Sequence, residues 1–98
     1  MKQVRIYTLK DALSAETYFH THWPRHMVSL PTFDIYVNHV YLGANNQVIA
    51  VVTYKDGADI QAINQKYMVS AEFRADMQGF DMSSILNVEE ISIKEALF

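Results

Sequence analysis

Cysteine is absent from this 98-residue chain, which excludes disulfide bonds, thiolate metal ligands and cysteine nucleophiles. A chain without disulfides suits a reducing compartment. Its opening residues, Met1 to Tyr7, are charged and strand-like, whereas a signal peptide would be apolar there. We therefore expect a cytoplasmic protein.

Long apolar runs and an excess of basic charge are also missing. No stretch approaches the roughly 18 consecutive apolar residues that a membrane span requires, so we expect no membrane partner. Lysine and arginine number 8 against 11 acidic residues, which gives a net charge of −3. A nucleic-acid partner would need a basic surface, and this charge balance argues against one.

Aromatic and methionine side chains are plentiful, with one Trp, six Tyr, five Phe and five Met. Residues of this kind fill protein interiors, form subunit interfaces and line pockets for flat organic ligands. Composition alone leaves these three uses open.

Hydrophobic periodicity predicts a single α+β domain over residues 1–98. The predicted order is βαββαβ, the pattern of a ferredoxin-like sandwich with helices on one face of a four-stranded antiparallel sheet. The expected strands cover Val4–Leu9, Phe33–Gly43, Val48–Tyr54 and about Ile85–Lys94. A tight turn is predicted at Asn45-Asn46, and helix N-caps at Asp11 and Ser70.

Two strands carry further information about packing. Val48–Tyr54 is apolar on both faces, so each side of the sheet must be covered. Helices can cover one side, and a second subunit most simply covers the other. In the last strand the apolar alternation changes phase at Glu89-Glu90, which predicts a bulge or bend there.

The segment from Glu16 to Pro31 concentrates the chemistry of the chain. It holds three of the four histidines, the only tryptophan and both prolines. Helical spacing places His22 and His26 on the inward stripe and His20 outward. Pro24 lacks an amide hydrogen, so we expect a kink or restart of the helix near Trp23.

Three segments carry a recognisable pattern: Arg5-x-Tyr7-x-Leu9; Phe19-x-x-x-Trp23-x-x-His26-x-x-x-Leu30-Pro31, followed by Tyr36; and Tyr67-Met-x-Ser-x-Glu-Phe-x-x-Asp-Met-x-Gly-Phe-Asp81. They resemble NIPSNAP-like and EthD-like proteins of the dimeric α+β barrel superfamily. The resemblance implies a homodimer whose two sheets pack face to face into a barrel, with a cleft between sheet and helices in each subunit. The superfamily includes cofactor-free monooxygenases, haem-degrading enzymes, isomerases, polyketide cyclases and proteins of no known activity, so fold alone selects no function.

His26 is the leading catalytic candidate, because imidazole can take or give a proton near neutral pH. The competing interpretation is a buried histidine whose hydrogen bonds are satisfied by the protein. Its expected catalytic partner is either His39 or Tyr36. These two alternate on one predicted strand, so only one of them should face the cleft.

The expected ligand pocket consists of Phe19, His22, Trp23, Tyr67 and Phe73 and is mainly aromatic. An aromatic stripe at helical spacing is, however, more often part of the core.

A metal site at His22 and His26 is disfavoured, since no glutamate follows the first histidine and Pro24 disturbs the helix. We expect no metal and no cofactor. Asp76, Asp81 and Glu72 lie near helix ends, where carboxylates are usually solvated or capping.

Three functions remain open on these grounds. The first is a binding or structural module with a cleft for a small, aromatic organic ligand. The second is a cofactor-free monooxygenase or polyketide-cyclase-like enzyme that uses His26 as acid or base. The third is a metal- or haem-dependent protein, for which the haem ligands of the superfamily find no positional match here.

Overall fold

A computed structural model describes residues 1–97, and Phe98 lies outside the described residues. The sheet order is β2-β3-β1-β4 and every neighbouring pair is antiparallel. The predicted α+β fold class, a ferredoxin-like βαββαβ arrangement with a four-stranded antiparallel sheet, is confirmed. The strands are β1 (Lys2–Leu9), β2 (Tyr36–Leu42), β3 (Gln47–Thr53) and β4 (Ile85–Ile93), and the helices are α1 (Ala12–Thr17), α2 (Trp23–Ser29), α3 (Ile60–Met68) and α4 (Ala71–Asp76).

The first helical segment changes its pitch three times. Helix α1 continues as a π-helical turn over Tyr18–His22, α2 follows, and a 3-10 turn over Leu30–Phe33 ends the segment. Pro24 lies in the first turn of α2, the part of a helix that tolerates proline best. The N–H of Trp23 reaches back five residues to the carbonyl of Tyr18. The wider turn accommodates the proline, because π-bulges absorb such interruptions of the helical ladder.

Side-chain caps begin three of the helices. Asp11 accepts a hydrogen bond from the N–H of Ser14 at 2.7 Å, and Ser70 accepts one from the N–H of Phe73 at 3.1 Å. Asp59 caps α3 in the same way. Such caps satisfy backbone donors that have no partner within the helix.

Strand β2 begins later than predicted. Asp34 adopts a left-handed conformation, with φ of 62°, after the 3-10 turn, so the extended strand starts at Tyr36 rather than Phe33. Its pairing with β3 also shifts between Val37 and His39, which marks a bulge at Asn38. A bulge inserts one residue and reverses the alternation of side chains beyond it.

Strand β4 carries a bulge at a position different from the predicted one. Its pairing with β1 is regular through Glu89 and Glu90, and the register shifts instead where Thr8 pairs with Asn87 and Leu9 with Ile85. The prediction of a break at Glu89-Glu90 was therefore wrong. The extra residue is Leu86, near the start of the strand, where the chain leaves a short 3-10 turn over Met82–Ser84.

The two faces of the sheet differ in their cover. The helices bury one face, where Val48, Ala50 and Val52 of β3 have no exposed surface. No helix of residues 1–97 covers the opposite face, which we name the open face and which is apolar over much of its area. It presents Val4, Ile6, Thr8, Tyr36, His39, Tyr41, Ile49, Val51, Thr53, Glu89, Ile91 and Ile93. Among residues 1–97, no helix is both long enough and apolar enough to cross a membrane.

Candidate functional site

A cavity of about 340 Å³ lies between the β1–β4 half of the sheet and the helices. Strand β4 is an edge strand, and its residues Ile85, Val88 and Glu90 line the cavity. Helices α2, α3 and α4 each contribute lining residues on the other side. The residues that matter most for its chemistry are Arg5, Trp23, His26, Tyr67, Phe73 and Glu90.

The inner wall is a cluster of edge-to-face aromatic rings. Tyr7 and Tyr18 have ring centroids 5.3 Å apart, and Trp23 lies 5.8 Å from Tyr7 and 6.1 Å from Tyr18. Rings in this arrangement gain from the attraction between the edge of one and the face of the next. The result is a rigid apolar surface suited to a flat ring.

His26 ends a buried hydrogen-bond chain that begins at Asp76. The hydroxyl of Tyr67 donates to Oδ2 of Asp76 at 2.5 Å, and Nδ1 of His26 lies 2.5 Å from the same hydroxyl. Ser29 donates to the other carboxylate oxygen of Asp76 at 3.0 Å. Asp76 and His26 are 6% and 3% exposed, so the hydrogen bonds that link them through Tyr67 are largely shielded from bulk water.

The direction of this chain determines the tautomer of His26. Asp76 accepts one hydrogen bond from the hydroxyl of Tyr67 and another from the hydroxyl of Ser29. Tyr67 has one hydroxyl hydrogen and gives it to Asp76, so the remaining bond must be donated by Nδ1–H of His26. The lone pair of neutral His26 is then on Nε2. Because His26 lines the cavity, Nε2 is the nitrogen available to a ligand.

Burial keeps His26 neutral. Loss of hydration lowers the pKa of His26 to about 4, although the nearby Asp76 carboxylate opposes this change. Burial and Asp76 raise the pKa of Tyr67 well above its usual range, so the phenol stays protonated. At neutral pH the site therefore presents an unprotonated imidazole nitrogen, held in position by a phenol and a carboxylate.

The low pKa of His26 predicts a pH-dependent stability. Between its folded pKa of about 4 and its ordinary value of 6.5, the unfolded chain binds a proton that the folded chain does not. The free energy of unfolding should therefore rise with pH across this window, by up to about 3 kcal/mol from this residue, and level off above it. Urea unfolding midpoints at pH 4.5, 5.5 and 7.5 measure the rise.

A matched pair of variants isolates the contribution of His26 to this pH dependence. His26→Asn should flatten the rise, whereas His20→Asn, at an exposed position, should leave it unchanged. A wild-type curve that is level between pH 4.5 and 7.5, after correction with the His26→Asn curve, would contradict the low pKa.

The other expected pocket residues divide into two groups. Trp23, Tyr67 and Phe73 line the cavity. His22 is buried behind it and its Nδ1 lies 2.8 Å from the backbone carbonyl of Asp76, which ties the first helical segment to α4. Phe19 is half-buried against His20 and does not line the cavity, because the π-helical turn places Tyr18 on the inward side.

The expected partners of His26 lie elsewhere. Tyr36 and His39 share the open face, since the bulge at Asn38 puts both on the same side of β2. Strands β3 and β1 separate them from the cavity. Tyr36 is 43% exposed and contacts Asp34, and His39 stacks on Tyr41 at 5.7 Å. The structure therefore does not bring His26 together with His39 or Tyr36, and Tyr67 takes that place.

Asp76 is a residue of the site that its position near a helix end led us to discount. It lies at the end of a short helix, where a carboxylate is usually solvated. The available signal was its immediate neighbours, because Phe73 and Met77 predict that this side of α4 faces inward. The fold buries Asp76 by packing α4 against α2 and α3.

The geometry offers little to a metal ion. Within residues 1–97, no three side chains among His, Asp and Glu come together as metal ligands. His22 and His26 each have Nδ1 engaged, with the Asp76 carbonyl and with Tyr67 respectively.

Arg5 and Glu90 form the polar end of the cavity. They are paired across β1 and β4, and Nη2 of Arg5 lies 3.2 Å from Oε1 of Glu90. The guanidinium also lies over the ring of Tyr7, 5.7 Å from its centroid. Two buried donors around the cavity lack a hydrogen-bond partner among residues 1–97, namely Nε of Arg5 and Nε1 of Trp23.

Comparisons of the chain with protein-family models, with curated proteins and with solved structures found no match. The functional assignment therefore depends on the residues and the geometry described above.

Proposed function

We propose that this chain is a cytoplasmic, homodimeric α+β barrel protein of NIPSNAP/EthD-like type that binds a small aromatic organic molecule. The resemblance of its sequence patterns supports the family, and the apolar open face supports the dimer. One observation carries the binding function, which is the aromatic cavity with the free Nε2 of His26 on its wall.

The cavity has the properties of a small-molecule site. Its volume of about 340 Å³ suits a ligand of two or three fused rings, within the usual range of roughly 300–1,000 Å³ for such pockets. Its wall is mainly apolar, and a few polar groups converge on it. His26 stacks beside Phe73, with ring centroids 6.2 Å apart and planes inclined by 22°, so a flat ligand can continue the stack.

A second function is favoured by the direction of the hydrogen-bond chain. With Nδ1–H held by Tyr67, Nε2 of His26 is a general base for an acidic hydrogen of the ligand. The proton would move from a ligand carbon or hydroxyl to Nε2, and Asp76 would stabilise the resulting imidazolium through Tyr67. Proton abstraction of this kind suits a cofactor-free monooxygenase or a polyketide-cyclase-like enzyme.

Binding of 2-naphthol tests the first function. Calorimetric titration should show binding to wild type, because the ring fits the cavity and its hydroxyl can donate to Nε2 of His26. In His26→Asn the shorter side chain keeps an amide donor for Tyr67 but has no acceptor at the position of Nε2, so the affinity should fall about 10-fold. His20→Asn is the matched control and should bind like wild type. No heat of binding to wild type at millimolar naphthol would reject the pocket.

Hydrogen exchange of 2-tetralone separates an enzyme from a binding module. The hydrogens between its ring and its carbonyl are acidic, and a general base exchanges them for deuterium in D2O. Wild type should accelerate this exchange in an NMR assay, and His26→Asn should not. Binding without acceleration would leave the binding function and reject the general base.

A further inference from the structure

We infer that the ligand is an aromatic monoanion whose carboxylate binds Nε–H of Arg5 while its ring lies on the aromatic wall. This inference deepens the proposed binding function and rests on it. Three observations support it: the positive charge of Arg5, its buried and unpaired Nε–H, and its position between two adjoining cavities.

Arg5 has donor capacity that the protein does not use. A guanidinium carries five N–H donors, and one of them reaches Glu90. Nε is buried and has no acceptor among residues 1–97. Buried donors are nearly always paired, so an unpaired one beside a cavity indicates the position of a ligand acceptor.

The one positive charge at the cavity, on Arg5, indicates the charge of the ligand. Arg5 is the one arginine or lysine of residues 1–97 that lines the cavity, and the low pKa of His26 keeps that residue neutral. Glu90 also lines the cavity, but its side chain is 44% exposed against 13% for Arg5, so water screens its charge and it compensates Arg5 only in part. A monoanion matches this site better than a phosphate, which would require further donors or cations.

A second cavity, of about 400 Å³, shows which end of the ligand is polar. It shares Arg5, Met68 and Glu90 with the first cavity. Its other walls carry amide side chains, including Gln3, whose buried Oε1 has no partner among residues 1–97. Arg5 therefore stands at the boundary between an aromatic chamber and an amide-lined one. A carboxylate at this boundary leaves its ring on the aromatic side.

Trp23 supplies a second donor on that side. Its Nε1–H is buried and makes no hydrogen bond of acceptable geometry within residues 1–97. The indole is nevertheless close enough to Tyr18 to lower the pKa of that phenol slightly against the effect of burial. A second oxygen of the ligand, such as a ring hydroxyl or carbonyl, can accept from it. The ligand class is thus an aromatic carboxylate with oxygen substituents on the ring.

A matched pair of probes tests the charge without altering the protein. Calorimetric titration at pH 7.5 compares 2-naphthoate with 2-naphthamide, which has nearly the same shape and no charge. We expect 2-naphthoate to bind wild type at least about 10-fold more tightly, since hydrogen bonds to charged groups are the stronger ones. Equal binding, or tighter binding of the amide, would overturn the monoanion and leave the pocket intact. Absence of binding by either probe would overturn both.

Two variants assign the effect to Arg5. Arg5→Gln should remove the preference for 2-naphthoate while 2-naphthamide still binds. Glu90→Gln removes the competing carboxylate and should leave the affinity for 2-naphthoate unchanged or raise it about 3-fold. If Arg5→Gln does not fold, as judged by circular dichroism, the Glu90→Gln variant and the comparison of the two probes on wild type still test whether the site prefers a monoanion. A loss of 2-naphthoate binding in folded Glu90→Gln would overturn the assignment.

Discussion

Replacing Asp76 with alanine should lower the free energy of unfolding by about 3 kcal/mol, because the buried hydroxyl of Tyr67 and the half-buried hydroxyl of Ser29 both lose their acceptor. Tyr67 donates to one carboxylate oxygen at 2.5 Å and Ser29 to the other at 3.0 Å. Asp76 is 6% exposed, so water cannot readily take its place. The contacts also join α2, α3 and α4, which makes the loss affect three helices together.

The same substitution should move the proton of His26. Without Asp76, Nδ1 of His26 is the one partner of the Tyr67 hydroxyl that remains among residues 1–97, and the hydroxyl can donate to it. His26 then carries its hydrogen on Nε2 and presents a donor, not a base, to the cavity. Long-range ¹H–¹⁵N correlation spectra of the histidine rings distinguish the two tautomers directly.

Two control variants make this prediction specific. Asp76→Asn keeps the shape and one oxygen acceptor for Tyr67, so it should lose less stability and keep the Nδ1–H tautomer. Asp81→Ala removes an exposed carboxylate that only caps Ser83, and its effect should be small. A urea midpoint of Asp76→Ala equal to that of wild type would contradict the structural role of the carboxylate. An unchanged tautomer would contradict the direction of the hydrogen-bond chain.

Local chemistry explains which parts of the fold were predictable. Asp11 and Ser70 cap helices because their side chains satisfy free amides within three residues of themselves. Asn45 and Asn46 form the hairpin turn with φ of 58° and 60°, conformations that asparagine tolerates well. Each of these features depends on a few adjacent residues and can be read from them.

Features that depend on distant contacts were not predictable in the same way. The bulge at Asn38 reverses side-chain parity, so strict alternation separated Tyr36 from His39 although the structure places them on one face. Nothing within the strand marks the inserted residue. For Asp76, burial follows from how α4 packs on other helices, and helix-end position alone suggested solvent.

The sequence located His26 correctly on the inward side but could not identify its partner. Tyr67 and Asp76 lie 41 and 50 residues further along the chain, and only the packing of the helices brings them to the imidazole. Helical periodicity reports which side of a helix is buried. It does not report which side chains of two helices meet, and that information defines the chemistry of this site.

The open face predicts that this chain forms a dimer. Its apolar side chains extend over all four strands, and Tyr41 and Ile91 remain 51% and 45% exposed. A monomer rarely leaves an apolar patch of this kind uncovered. In the proposed homodimer a second copy covers it, so sedimentation should give twice the chain mass of 11.3 kDa at micromolar concentration.

Ile6→Glu should dissociate this dimer. Ile6 lies on central strand β1 opposite Glu89 of β4, and in the monomer both carboxylates can extend from the open face into water, at a modest cost to the fold. In the dimer the substitution buries like charges from each subunit, and the dissociation constant should rise about 100-fold or more. Val28→Glu is the matched control, because Val28 is 78% exposed on α2, away from the open face. A folded Ile6→Glu variant that still sediments as a dimer would show that the open face is not the interface.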